Sequence, residues 1–160
     1  MDSLDRKILA ELQANGRLTH TELAERVGLS LSPCHRRVKA LEEAGAIQGY
    51  TAQVNAAALG LNFSAIVFAT LKAADRETIQ AFEHTVSAIP EIVQAQRLFG
   101  DPDYMFHIVA RDLAAFQKLY DDRLITLPGV QRLTSTLVMK SVVRNRPLPV
   151  SATIGGEKPG

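Results

Sequence analysis

The side chains best suited to chemistry fall in one short run. Between Ser30 and Lys39 the chain carries no carboxylate, but it presents Ser30, Ser32, His35, Arg36, Arg37 and Lys39. Arg and Lys hold phosphate oxygens, and short polar or guanidinium groups near the start of a helix read base edges in a major groove. Double-stranded DNA is therefore the expected partner of this run. Elsewhere the reactive residue types are scattered. Cys34 is the single cysteine, so neither a disulfide framework nor a multi-cysteine zinc site is available. No nucleophile elbow, paired metal-ligand spacing or phosphate-cradling glycine loop occurs. The expectation is a protein that is not an enzyme, with no catalytic residues, metal ligands or cofactor.

Charge and composition set the wider bounds. Formal net charge is only +1, and residues 1–50 hold seven basic and seven acidic side chains, so positive charge is concentrated rather than abundant. A reader helix needs only a local basic surface. With 160 residues, 46% apolar and 22% charged, the chain can build one ordinary domain or two small ones. No apolar run reaches the roughly 18 residues of a membrane span, and the N-terminus is acidic and polar rather than signal-like. A soluble, cytoplasmic protein with no membrane partner is expected.

Three helices must position the basic run. Leu4, Ile8, Leu9 and Leu12 follow helical spacing after a capping Asp2, and Asn15-Gly16 ends that helix. Thr19 and Glu22 have the spacing of a capping box, with Leu18 and Leu23 as its hydrophobic staple. A short helix through Val27 turns at Gly28, and Ser30 caps the third helix, buried through Cys34, Val38 and Leu41. Two short helices joined by a glycine turn make a helix-turn-helix. Residues 1–50 are assigned to this domain, residues 51–62 to an extended linker.

From Phe63 the pattern changes. A strand over 63–72 is followed by a helix capped by Asp75, strands over 92–99 and 104–110, a helix capped by Asp112 and a final strand over 130–143. The order β-α-β-β-α-β is that of ferredoxin-like domains, making the chain α+β. The first and third strands are the most apolar, which puts them in the centre and gives the order 4-1-3-2. Two helices cover one sheet face. Ile66 and Phe68 on the other face therefore call for a second subunit, which would also supply a second reader helix. Residues 63–145 form this domain, and the Pro- and Gly-rich tail, 146–160, is expected to be disordered.

At this level of detail the chain resembles the Lrp/AsnC, or feast-or-famine, transcription regulators over residues 3–145. The resemblance rests on Leu4-Asp5-Arg6-Lys7-Ile8-Leu9, Glu22 to Ser30, Ser32-Pro33-Cys34, Gly45 to Tyr50, Gly100-Asp101-Pro102-Asp103-Tyr104 and Leu127-Pro128-Gly129-Val130, in order and correctly spaced. It implies a winged helix-turn-helix head and a ferredoxin-like RAM domain. It further implies dimers formed through the sheets, often assembled into octamers, and an amino acid as effector. Carried onto this chain, the DNA-reading positions are Ser30, Ser32, His35, Arg36 and Lys39. The effector positions are Gly100, Asp101, Asp103 and Tyr104, with Thr134, Ser135 and Thr136 on the last strand. Such a loop suits a zwitterion, with exposed amides for a carboxylate and Asp101 or Asp103 for an ammonium group. His35 departs from the aliphatic or aromatic residue common at its position in the family.

Two other readings stay open. The Lrp-like siroheme decarboxylases share both domains and would need histidines around a tetrapyrrole. The candidates are His20, His35, His84 and His107, of which His107 reads better as a core or interface residue. RNA binding on the open sheet face would need stacked aromatics, and Tyr104 and Phe106 have the alternation without a basic-aromatic consensus around them.

Overall fold

A computed structural model describes residues 1–150, which divide into two compact units. Residues 1–53, with the segment that begins at Val143, form one; Val54–Val142 form the other.

In the first unit, α1 spans Ser3–Ala14, α2 His20–Val27 and α3 Leu31–Glu43. Their starts follow the local chemistry. Asp2 and Asp5 make a reciprocal capping box on α1, and Thr19 and Glu22 make one on α2. Gly28 ends α2 in the left-handed conformation at φ 78°, which a Cβ would disfavour, and so turns the chain into α3. Ser30 occupies the cap position of α3, but its side chain makes no capping bond. Ile8, Leu23, Ala24, Val27, Cys34, Val38 and Leu41 are the buried side chains between the three helices. Ala24 is buried where α2 meets its neighbours, so the helices approach closely there. An Arg26–Glu11 ion pair of 3.1 Å ties α2 to α1 at the surface. Residues 48–55 belong to neither helix nor strand.

The stretch expected to be a plain linker contains a structured turn. Residues Ala56–Leu59 wind into a 3-10 helix because the Asn55 carboxamide accepts the Ala57 amide at 3.0 Å and Gly60 closes the turn at φ 75°. The tail assignment falls largely on residues 151–160, which lie outside the described residues. Of those preceding, Leu148 exchanges two hydrogen bonds with the Gln13 side chain on α1, its amide donating at 2.6 Å and its carbonyl accepting at 3.2 Å.

In the second unit, β1 (Phe63–Leu71), β2 (Ile92–Arg97), β3 (Tyr104–Ala110) and β4 (Val130–Leu137) form one antiparallel sheet in the order β2-β3-β1-β4. Helices α4 (Arg76–Ser87) and α5 (Leu113–Leu119, extended by a π turn over Tyr120–Leu124) are capped by Asp75 and Asp112. Ala65, Val67, Ala69 and Leu71 from β1 and Tyr104, Phe106 and Ile108 from β3 bury one sheet face against Phe82, Val86, Phe116 and Leu119. The alternate residues, Ile66, Phe68, Met105 and Val109, are only half buried on the opposite face. The last strand is shorter than its apolar run suggested. Val138 still donates to the Ser64 carbonyl at 3.0 Å, but β1, the neighbour of β4 in the sheet, begins at Phe63, so among the described residues no ladder continues beyond it.

Gly129 fixes the entry to β4. It adopts φ 69°, its carbonyl accepts the Lys72 amide at 2.8 Å, and a Cβ on it would overlap the Thr78 methyl group. Gly129→Ala is expected to combine a left-handed penalty of about 1–2 kcal/mol with an overpacking cost of about 1–3 kcal/mol. Thr78→Ser, which removes the methyl but keeps the hydroxyl that binds Asp75, should recover only the second part. Urea unfolding of the single and double variants measures both. An unchanged midpoint for Gly129→Ala would refute the packing argument.

Candidate functional site

The basic face of α3 is built by exclusion. Cys34, Val38 and Leu41 turn one stripe of the helix into the core, which leaves Ser32, His35, Arg36 and Lys39 exposed on the others. Burial pushes the Cys34 thiol above its usual range, as suits a packing residue rather than a nucleophile. Ser30, unspent as a cap, is exposed at the head of the same helix. Arg36 makes no ion pair among the described residues, and Lys39 lies a loose 3.7 Å from Glu43.

Arg37 requires a correction. The sequence expectation sets it with the DNA-facing residues, but its guanidinium turns to α1, 2.7 Å from both the Asp2 and the Asp5 carboxylates. Those bonds, to Asp5 first and Asp2 second, raise the guanidinium further above its usual range. The Asp5 backbone amide and then Arg37 hold the Asp2 carboxyl low. Arg37 therefore fastens α3 to the start of α1, and its charge is neutralised within the domain.

One neighbour was missed by sequence reasoning. His20, the first residue of α2, places its ring 4.8 Å from that of His35 in an edge-to-face arrangement, and Thr21 lies in the same groove with Leu31 and Ser32. Fifteen positions separate the two histidines, so only the helix-turn-helix geometry brings them together. The capping box that ends at Thr19 was the available signal, because it fixes where α2 begins.

The predicted effector residues do not form one constellation. Successive strand residues point to opposite faces, and Ser135 pairs with buried Val67 while Thr134 and Thr136 pair with Phe68 and Ile66. Thr134 and Thr136 therefore lie on the open face and Ser135 on the helix side. Tyr104 also leaves the set. It is 3% exposed, packs on Phe82 at 4.6 Å and donates its hydroxyl to Glu83 at 2.7 Å on the helix side. Burial, followed by the Glu83 contact, pushes its phenol up to about 12. Phe106 shares that covered face, so the aromatic pair needed for base stacking is not presented on the open one.

The loop carboxylates have separate duties. Asp103 accepts the Leu71 amide at 2.8 Å, and its own amide donates to the Ala69 carbonyl at 3.0 Å, so it pins the loop to the end of β1. Asp101, preceding a cis bond to Pro102, is exposed beside Thr70 at 3.2 Å and Arg132 at 3.4 Å. Gly100 adopts φ 139° with open space where a Cβ would stand, so backbone conformation rather than close packing calls for glycine. Phe68, Thr70, Pro102, Arg132 and Thr134 surround a depression of about 220 Å³ beside Asp101. Arg132, one strand position from the expected residues, was not anticipated. It supplies the positive charge that complements Asp101. On the same open face His107 is half buried and lies 2.7 Å from the Ser64 hydroxyl.

Each of the two units has a match among known protein families. Residues 1–48 match the winged helix-turn-helix DNA-binding family, and residues 64–148 match the Lrp/AsnC ligand binding domain. The chain is 40% identical over 142 residues to a leucine-responsive regulatory protein of Rhizobium meliloti, covering 89% of this chain and 91% of the relative. It is 37% identical over 150 residues to that of Escherichia coli K12, covering 94% and 92%. A transcriptional regulator of Neisseria meningitidis, solved as a complex with L-Met, superposes with a TM-score of 0.89 at 36% identity over 94% of this chain and 97% of that one. Escherichia coli AsnC superposes with a TM-score of 0.82 at 25% identity over 90% and 95%. With both units matched in order and relatives aligned over nearly their full lengths, the chain belongs to the Lrp/AsnC family of DNA-binding transcription regulators, with a ligand-binding domain.

Proposed function

We propose that Ser30, Ser32, His35, Arg36 and Lys39 of α3, with His20 and Thr21 at the start of α2, contact operator DNA, and that an amino acid bound beside Asp101 modulates that contact. The observation that carries the first part is the division of labour on α3. Arg37 is neutralised by Asp2 and Asp5, whereas Arg36 has no carboxylate partner among the described residues. A cation left unpaired beside exposed hydroxyl and imidazole groups suits a polyanion.

The ligand reading rests on Arg132 and Asp101 at the rim of the open-face depression. A guanidinium takes a carboxylate and a carboxylate takes an ammonium group, which together match a zwitterion. The L-Met bound by the Neisseria meningitidis neighbour and the leucine-responsive names of the relatives favour an apolar amino acid. The sheet also supports self-association. Ile66, Phe68, Met105 and Val109 form an apolar open face that a second copy would cover, and a two-fold dimer would offer two reader helices to two half-sites. Octamers built from such dimers are the family's further step.

Phosphate contacts release counterions, so each one lost flattens the salt dependence of binding. Arg36→Ala and Lys39→Ala should each lower the slope of log affinity against log salt by about 1, while Arg37→Ala should leave it unchanged. Fluorescence anisotropy on an operator duplex across a salt series tests this, and equal slopes in all three variants would reject the assignment. Arg132→Gln should abolish the shift in operator affinity caused by L-methionine without altering affinity in its absence; a retained shift would move the ligand elsewhere. Asp103→Ala should destabilise the protein by about 1–3 kcal/mol through the orphaned Leu71 amide, whereas Asp101→Ala should not. Equal unfolding midpoints for the two would remove the distinction drawn between these carboxylates.

A further inference from the structure

A second cleft lies on the helix side of the sheet, between α4 and the edge strand β2. Its volume is about 160 Å³, comparable to an apolar cavity of about 150 Å³ that takes benzene, and its lining includes Phe82, Glu83, Val86, Ala95, Arg97 and Tyr104. Phe82, Val86 and the Tyr104 ring make an apolar floor. The charges at its margin are opposite in sign and form no ion pair among the described residues. Glu83 accepts the Tyr104 hydroxyl through one carboxylate oxygen, at 2.7 Å, and the other oxygen has no hydrogen bond among the described residues. Arg97 stands across from Tyr104 in the β2–β3 register and makes no ion pair among the described residues, with Glu83 or any other carboxylate.

We propose that this cleft binds a free α-amino acid with a small apolar side chain, as a site separate from the Asp101–Arg132 depression. Arg97 takes the ligand carboxylate, the free oxygen of Glu83 takes its ammonium group, and the side chain covers the floor between them. A zwitterion satisfies both charges at once, which neither an apolar solute nor a simple anion does. Tyr104 orients Glu83 from below, and its phenol stays protonated at any physiological pH because burial and the adjacent carboxylate hold its pKa at about 12. The two sites are on opposite faces of one sheet. Tyr104, Ala95 and Arg97 share the covered face, while Phe68, Thr70, Arg132 and Thr134 share the open one. The proposal shares with the preceding section only the reading that the ligand is an amino acid.

Calorimetric titration of the full chain with L-methionine, in the wild type, Arg97→Gln, Glu83→Gln and Arg132→Gln, tests it. Arg97 and Glu83 are exposed side chains, and unchanged thermal unfolding will show that their variants fold. Two ligands per chain are expected in the wild type. Arg97→Gln and Glu83→Gln should each weaken one of them tenfold or more, and Arg132→Gln should remove the other. N-acetyl-L-methionine and L-methioninamide, each lacking one charge, should fail to occupy the cleft. Wild-type stoichiometry and affinity in both Arg97→Gln and Glu83→Gln overturn the cleft. A single wild-type ligand lost only in Arg132→Gln also overturns it, and leaves the open-face site standing. Loss in Arg97→Gln with full retention in Arg132→Gln supports the cleft and rejects the open-face site, and no binding in the wild type rejects both.

Discussion

One constraint organises the second unit: a four-stranded sheet has two faces, and this chain supplies helices for one. Side chains on a strand alternate strictly, so every residue of β1, β3 and β4 is assigned to the covered or the bare side by parity alone. Tyr104 and Phe106 are core because Ala65, Val67 and Ala69 are core in register with them. Thr134 and Thr136 share the bare side with Ile66 and Phe68, and Ser135 cannot join them. The bare side carries apolar side chains that water solvates poorly, together with the Ser64–His107 contact and the Asp101–Arg132 pair. If the proposed ligand and the proposed dimer both use this side, a bound amino acid would have a direct means of influencing assembly.

The head follows a different logic, in which charge is rationed. Its basic and acidic residues balance, yet they are not distributed evenly. Two carboxylates at the start of α1 are spent on Arg37, Glu11 on Arg26, and Glu22 on the Thr19 cap. The internal pairs hold the three helices in register, and on α3 this leaves Arg36, with no ion pair among the described residues, and the loosely held Lys39 on the remaining face. A neutral domain can in this way present a positive surface to DNA without the self-repulsion of a strongly basic one.

Much of this was legible in the residues. Helix starts were readable because capping is local chemistry: Asp2, Thr19, Asp75 and Asp112 each act within three positions. Strand order followed from apolar content, since the central strands β1 and β3 carry apolar residues on both faces while β2 tolerates Gln94, Gln96 and Arg97 at an edge. What the sequence concealed was partnership across distance. Arg37 and Arg36 are adjacent and chemically identical, and only the packing of α1 beside α3 decides which is neutralised. His20 meets His35 through the turn at Gly28. Asp101 and Asp103 look interchangeable in the string, yet one points outward and the other satisfies a backbone amide at the end of β1. Three consecutive hydroxyl residues on β4 look like a cluster until the pleat separates them.

The single cysteine gives the molecule a built-in clock. Cys34 is fully enclosed among Ile8, Leu23 and Val38, and its thiol is disfavoured as a thiolate. A disulfide reagent can reach it only when α3 lifts from its neighbours, so the labelling rate reports local opening of the head in isolation from the sheet. Slower modification in the presence of a duplex would then measure, in the native chain and without an engineered probe, how far DNA steadies the helix proposed to contact it.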